Sequence, residues 1–323
     1  MNYQTSDYQR ICRTTLGIIE EDLIKTGIFY RIYFRVKSSK SLSKKLESEN
    51  SDGTAKYNEE AKLIRDLLGF RINLYFVDDL EILLNHFKNK YAANFLEEAI
   101  DIQTSTEFKP TRVNLIFRLP SEAMTEFNSI NRDKRVDSTF ELQLRTIFSE
   151  GWHEVDHDFR YKSPDDWLSY NSLSRTFNGI LAALETHEWS IIKLLEELSY
   201  SHYKTGNYSA MIRMQLRIRT ENVHLTETLT DAIKRESSFI KSFYKIERNT
   251  VINFLLTHDV AIPFTVDNLI YLINYFFIKN KKVLSLTPSI LLKQFQEIKK
   301  KPAPASVLAC GPLTGSKAIV RPI

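Results

Sequence analysis

The sequence predicts an α+β fold: a mixed β-sheet flanked by helices, followed by an all-helical C-terminal extension. Three observations predict it. Strand-like and helix-like patterns interleave over the first half, whereas from about residue 147 to about residue 300 the pattern is helical almost throughout. Hydrophobic residues at 43% and charged residues at 26% describe a chain able to build a core. Only 9 Gly and 9 Pro in 323 residues exclude collagen-like and low-complexity architectures. At roughly 150 residues per domain the length suits two modest domains. The expected division is 1–165 for the sheet-based domain, 166–301 for a helical, basic extension, and 302–323 for a flexible tail rich in Pro, Ala and Gly.

The elements follow in order. Over residues 8–25, Ile11, Leu16, Ile19 and Leu23 fall at near-helical spacing, and Gly27 is a natural stop. Residues 28–37 switch to strict alternation, with Ile28, Tyr30, Ile32, Phe34 and Val36 on one face and Arg31, Tyr33, Arg35 and Lys37 on the other. Ser38 or Ser39 then caps a short helix through Leu46. The spacing predicts a loop over 50–53, a helix over 59–68 released by Gly69, and a strand over 70–76. Asp78 and Asp79 open a further helix. Strands are expected over 113–118 and 139–145, the second with Glu141, Gln143 and Arg145 on one face.

Composition also bounds function. Two cysteines, Cys12 and Cys310, make neither a disulfide framework nor a four-cysteine zinc site. The first residues show no basic segment followed by an apolar one, and the most apolar run, 269–278, is far short of the roughly 20 residues a bilayer needs. A soluble, cytoplasmic protein without a membrane partner is expected. The net charge of +4 conceals a division. Residues 1–201 hold 26 Lys and Arg against 32 Asp and Glu, a balance of −6. Residues 202–323 hold 18 against 8, a balance of +10. The basic part suits a polyanionic partner; a solvated helical surface is the plainer explanation.

Short motifs need the same weighing. Residues 153–157 read HEVDH, which formally matches the zinc-protease pattern, but Asp156 adds an uncompensated carboxylate and such short patterns arise by chance. GPLTGSK at 311–317 is one residue too short for a phosphate loop, and no G-x-G-x-x-G occurs. What remains is a series of polar strand positions. Arg31, Arg35 and Lys37 form a cationic strip ending at a helix start, a suitable place for a polyphosphate. Asp66 and Glu141 each offer a carboxylate to the divalent cation that accompanies such a ligand.

In this order those positions resemble a family. RVKSSKSLSKKL (35–46), IRDLLGFRI (64–72) with FVDD (76–79), FELQLRT (140–146) and WHEVDHDFRYK (152–162) are similar to four successive blocks of RelA/SpoT-type nucleotide pyrophosphokinases. Together they cover about residues 31–162. The resemblance implies a nucleotidyltransferase-like synthetase domain that binds ATP and Mg²⁺ and transfers the β,γ-pyrophosphate of ATP to a ribose 3′-hydroxyl. It implies catalytic roles for Asp66, Glu141, Arg35 and Lys37, with Asp66 and Glu141 holding the metal. Contacts to ATP would come from Arg31, Arg35, Lys37, Ser41, Lys45, Arg71 and Arg145. Positioning and charge neutralisation are what such a transfer chiefly requires.

One block departs from the pattern. Where guanine-nucleotide-using relatives carry an "N-G-Y-x-S-x-H" segment, this chain reads EFKPTRVNL over 107–115. Phe108 replaces the stacking tyrosine and Asn114 the histidine, with Lys109 and Arg112 beside them. Gln143, His157, Tyr161 and Lys162 complete the expected acceptor contacts. Two acceptors fit: GDP or GTP, as in alarmone synthetases, or the 3′ end of tRNA, as in toxin members of the superfamily. For the latter, Lys204, Arg213, Arg217 and Arg219 would meet phosphates, and an inhibitor or antitoxin protein would be a partner. A catalytically inactive nucleotide-binding regulatory or interaction module is the alternative.

Overall fold

The computed structural model describes residues 5–60, 62–100, 113–258 and 260–300. Its centre is a five-stranded mixed sheet in the order β1-β2-β5-β4-β3, formed by Tyr30–Val36, Leu68–Leu74, Thr139–Thr146, Val113–Arg118 and Phe95–Ile100 respectively. Only β2 and β5 run parallel; the other neighbours are antiparallel. Alternation gives the sheet two unlike faces. Leu68, Phe70, Ile72, Phe140, Leu142, Leu144, Leu115 and Phe117 are buried on one of them. Helices α1 (Thr5–Ile24), α3 (Asp79–Lys90) and α4 (Ser121–Ile130) supply much of the apolar packing with that face. The other face carries Arg31, Arg35, Arg71, Glu141 and Gln143, bordered by α2 (Ser39–Leu46) and α5 (Ile147–Asp156).

Alternation and capping account for most of these elements. Ser38 is the N-cap of α2, its hydroxyl accepting from the Ser41 amide. Thr146 opens α5 with a reciprocal capping box to Ser149, so β5 passes straight into the helix behind the site. The helix expected over 59–68 is replaced by extended chain. The Ile64 amide donates to the Arg135 carbonyl at 2.8 Å and the Asp137 amide to the Ile64 carbonyl at 2.9 Å. Ile64 and Leu67 are buried, so tertiary pairing overrides a spacing that suits either structure. Gly69 lies inside β2 rather than before it. Strand β3 and helix α4 carried no expectation from the sequence.

The helical half begins with a π-helical turn, His157–Tyr161, and a 3₁₀ turn, Pro164–Trp167. It continues with α6 (Asn171–Thr205), α7 (Tyr208–Leu216), α8 (Glu227–Arg235), α9 (Ser237–Tyr244), α10 (Arg248–His258), α11 (Val266–Ile273), α12 (Lys281–Leu286) and α13 (Ser289–Lys300). One cluster of buried side chains extends from Tyr8 to Ile298 and takes in both halves. At Gly27, with φ of 64°, a Cβ would lie 2.5 Å from the Ile218 side chain. There the turn before β1 touches the strap after α7, and the Arg219 amide donates to the Gly27 carbonyl at 2.7 Å.

Glu188 of α6 is buried close to Thr146, at the end of β5. Desolvation pushes its carboxyl up to about 7, against a weaker opposing hydrogen bond from Thr146. A folded-state pKa above the unfolded value stabilises at low pH, and that contribution is lost as pH rises through about 7. Glu188→Gln is therefore expected to match wild type near pH 4.5 and to exceed it at pH 8, by at most about 3 kcal/mol. Urea unfolding at the two pH values tests this; an unchanged difference would contradict it.

Candidate active site

Strand register assembles the site. Arg35 of β1 lies opposite Gly69 of β2, which lies opposite Glu141 of β5. The next polar row runs Tyr33, Arg71, Gln143, Asn114, and the third runs Arg31, Asn73, Arg145. Gly69 leaves the floor between Arg35 and Glu141 without a side chain. A Cβ there would stand 3.7 Å from Arg35 Cγ, in ordinary contact, so the glycine keeps space open rather than avoiding a clash.

At the end of the first row Asp66 is gripped by two lysines. Lys37 Nζ donates to its Oδ2 at 2.9 Å, and Lys45 Nζ, from the last turn of α2, donates to both oxygens at 2.8 Å. Burial by itself would raise the Asp66 carboxyl; hydrogen bonds and charge from Lys45 and Lys37 outweigh it and hold the group below its ordinary value. Glu141 goes the other way. Burial, reinforced by the nearby charge of Asp66, raises it, while the Gln143 hydrogen bond and the charges of Arg35 and Lys37 oppose the rise. Two carboxylates thus share one electrostatic neighbourhood with unlike proton affinities.

Asp66 and Glu141 suit Mg²⁺. Both are hard oxygen donors, and this ion is commonly held by one or two carboxylates with substrate phosphates completing its shell. Among the described residues no group of three or more His, Cys, Asp or Glu side chains is placed to hold a metal. His153 is buried and the His157 side chain is half exposed.

Other expected site residues have defined places. Arg71 donates to Gln143 Oε1 at 3.0 Å, to Glu154 at 2.6 Å and to Glu150, and Arg145 donates to Glu150 at 2.8 Å. Both arginines therefore join α5 to the sheet, and Arg145 is buried. The acidic residues of α5 that claim them had no sequence signal beyond an apparently solvated helix face. Arg31 stands beside the Tyr33 and Tyr75 hydroxyls. Ser41 accepts from the Ser38 hydroxyl at 2.9 Å. Among the described residues, Asn114 and Asn73 each keep a buried side-chain oxygen without a hydrogen-bond partner, on the same sheet face as Glu141. Phe108, Lys109 and Arg112 lie outside the described residues.

His157 and Tyr161 stack on one another with ring centroids 5.6 Å apart, Lys162 pairs with Asp158, and Tyr161 is 75% exposed. Arg160 ties that turn to α6, bonding Asp156, Ser174 and Asn178 and stacking near Trp152, Trp167 and Phe177.

The placement of the cations proposed for RNA needs one correction. Arg217 is 6% exposed, binds Asp78 and lies over Phe76, so its guanidinium is not on a phosphate-facing surface. Arg219 lies over the Phe29 ring, Lys204 over Tyr200, and Arg213 donates to the Val223 carbonyl. Among the described residues no helix is long and apolar enough to cross a membrane.

Residues 34–166 match the family model described as the region found in RelA/SpoT proteins. The chain is 30% identical over 132 residues to the GTP pyrophosphokinase YwaC of Bacillus subtilis (strain 168), a match covering 41% of this chain and 58% of that protein. Small alarmone synthetase 2 from Bacillus subtilis superposes with a TM-score of 0.43 at 21% identity, covering 57% of this chain and 90% of that one. Small alarmone synthetase 1 from the same species, solved with its product pppGpp, gives 0.41 at 16%, covering 58% and 92%. Over residues 34–166 the chain is thus similar to the region found in RelA/SpoT proteins, and it spans 58% of the length of the curated relative that it matches.

Proposed function

We infer that this protein is an ATP-dependent pyrophosphokinase that transfers the β,γ-pyrophosphate of ATP to the 3′-hydroxyl of a guanosine nucleotide. The observation that carries this reading is the row Arg35, Gly69, Glu141, closed at its end by Asp66 between Lys37 and Lys45. It combines cations for a triphosphate, an open floor beneath them and two carboxylates of unlike basicity. Arg35, Lys37 and Lys45 bind phosphate oxygens and offset the charge of the migrating group. Asp66 and Glu141 hold Mg²⁺, which when bound supplies charge neutralisation at the polyphosphate.

The acceptor 3′-oxygen forms a bond to the β-phosphorus, the bond from that phosphorus to the α,β-bridging oxygen breaks, and AMP leaves with the electron pair. The hydroxyl proton passes to Glu141, the carboxylate beside the open floor at Gly69. Arg71 and Arg145 act as positioning residues by fixing α5 and Gln143 against the sheet.

The acceptor assignment is supported by the engagement of the second-half cations named for RNA, Arg217 above all, which removes part of the surface a tRNA would need. Incubation with γ-³²P-labelled ATP and, separately, GDP, GTP, ATP and bulk tRNA tests both parts. Label is expected in GDP or GTP. Labelling of tRNA alone would transfer the acceptor assignment to RNA, with binding that weakens steeply as salt rises. No labelled species in any mixture would overturn the enzymatic reading.

A further inference from the structure

The helical half holds a cleft that the proposed reaction does not use. Its volume is about 420 Å³, within the usual range for small-molecule pockets. Tyr275 and Phe276 line one side, from a π-helical turn over Asn274–Ile278 that directly continues α11. Leu284 of α12 adds aliphatic wall, and Lys279 and Lys299 supply the charge. The aromatic wall is held from behind. The ring centroid of Phe295, on α13, lies 5.3 Å from that of Tyr275 and 5.6 Å from that of Phe276, and Phe254 lies 4.5 Å from Phe276.

Both cations are placed by the backbone. Lys299 follows Phe295 by four residues on α13, so it stands one turn beyond that ring on the same side of the helix. Lys279 has a φ of 63°, in the left-handed region that glycine tolerates best. Its amide donates to the Asn274 carbonyl at 2.6 Å. The fully buried Asn274 side chain then bridges to Asn280, accepting from its amide at 2.8 Å and donating to its carbonyl at 3.0 Å. The turn is locked on both sides of Lys279, and backbone strain held in this way clusters at ligand clamps. Neither ammonium has a hydrogen bond or ion pair among the described residues, and no carboxylate lines the cleft.

We propose that this cleft is a binding site for a small aryl phosphate, with its ring against Tyr275 and Phe276 and its phosphate at Lys279 and Lys299. Aromatic walls suit a flat ring, and two unpaired cations on one cleft suit a group that carries close to two negative charges. The surplus of +10 over residues 202–323 favours the approach of such an anion. A neutral aryl alcohol would gain only the ring contacts, inorganic phosphate only the charge, and an aryl amine would meet like charge.

Naphthyl phosphate is the probe; naphthol, inorganic phosphate and naphthylmethylamine are the comparators. All are titrated by calorimetry with the candidate active site filled by a non-hydrolysable ATP analogue. Naphthyl phosphate is expected to bind with one-to-one stoichiometry, more tightly than naphthol or phosphate, with the amine weakest. Lys279→Gly is expected to weaken it tenfold or more, the scale of a lost charge-assisted hydrogen bond, and to leave naphthol unchanged. Because glycine suits a left-handed backbone, the same variant should keep or raise the urea midpoint, so the loss is not one of folding. Lys299→Gln, at an exposed position, should repeat the loss. Leu284→Trp, at the half-buried wall, should abolish binding of both naphthyl phosphate and naphthol. Absence of naphthyl phosphate binding to wild type, equal affinity in either lysine variant, or full binding in a folded Leu284→Trp protein would overturn the site.

Discussion

Glu141→Gln is expected to lower pyrophosphate transfer by roughly a thousandfold, the scale seen when a key electrostatic group is removed, while leaving the protein folded. The carboxylate lies between the open floor at Gly69 and the Gln143 amide, with Arg35 and Asp66 in electrostatic reach. Glutamine keeps the shape and an oxygen to accept from Gln143 but cannot take the acceptor's proton or hold a metal at full charge. Burial already disfavours the charged glutamate, so neutralising it costs the fold little. Near-normal turnover in Glu141→Gln would remove Glu141 from its role.

How much of this site the sequence carried depends on the kind of signal each residue gave. Alternation over β1 and β5 placed Arg35 and Glu141 on polar faces, and pairing through β2 then set them in one row. Asp66 was found by its position in a motif, although the surrounding segment is extended rather than helical. Alternation is a property of neighbouring positions and survives in one dimension. What was not legible depends on partners distant in the chain. Nothing local in Glu150 or Glu154 marks them as counterions of Arg71 and Arg145, because a helix face rich in acid looks solvated. The β3 strand, mostly exposed and at the sheet edge, lacks the alternation that buried strands show. Arg217 belonged to a basic stretch of chain, yet its φ of 47° turns it inward at the end of α7. Charge counted along a sequence does not say which charges are spent inside.

That inward turn completes the feature with the other large expected effect. Asp79 is fully buried, bonded to Arg248 at 2.6 Å; Asp78 binds Arg217 and lies 3.7 Å from Arg248. Two acids from the start of α3 and two arginines from the helical half form a neutral cluster that joins the halves, and Arg248 also donates to the Leu216 carbonyl at 2.6 Å. Asp78 Oδ1, Asp79 Oδ2, Arg217 Nε and an Arg248 terminal nitrogen are buried without hydrogen-bond partners, so the cluster is costly to assemble and costlier to break. Arg248→Ala strands Asp79 in an apolar setting and is expected to destabilise by about 3–5 kcal/mol. Arg248→Met with Asp79→Asn removes both charges and should recover a large part of that loss, because well-packed neutral replacements of buried pairs are often tolerated. The pH dependence has a definite sign. Burial raises the Asp79 carboxyl, against the pull of Arg248, and losing Arg248 raises it further. A raised folded-state pKa gives stability at low pH that disappears as pH rises, so the single variant should be penalised less at pH 5 than at pH 8. Urea unfolding of the wild type and both variants at the two pH values measures each quantity. A cost below about 1 kcal/mol for Arg248→Ala, or a double variant no more stable than the single one, would show that the halves are held together by their shared apolar core instead.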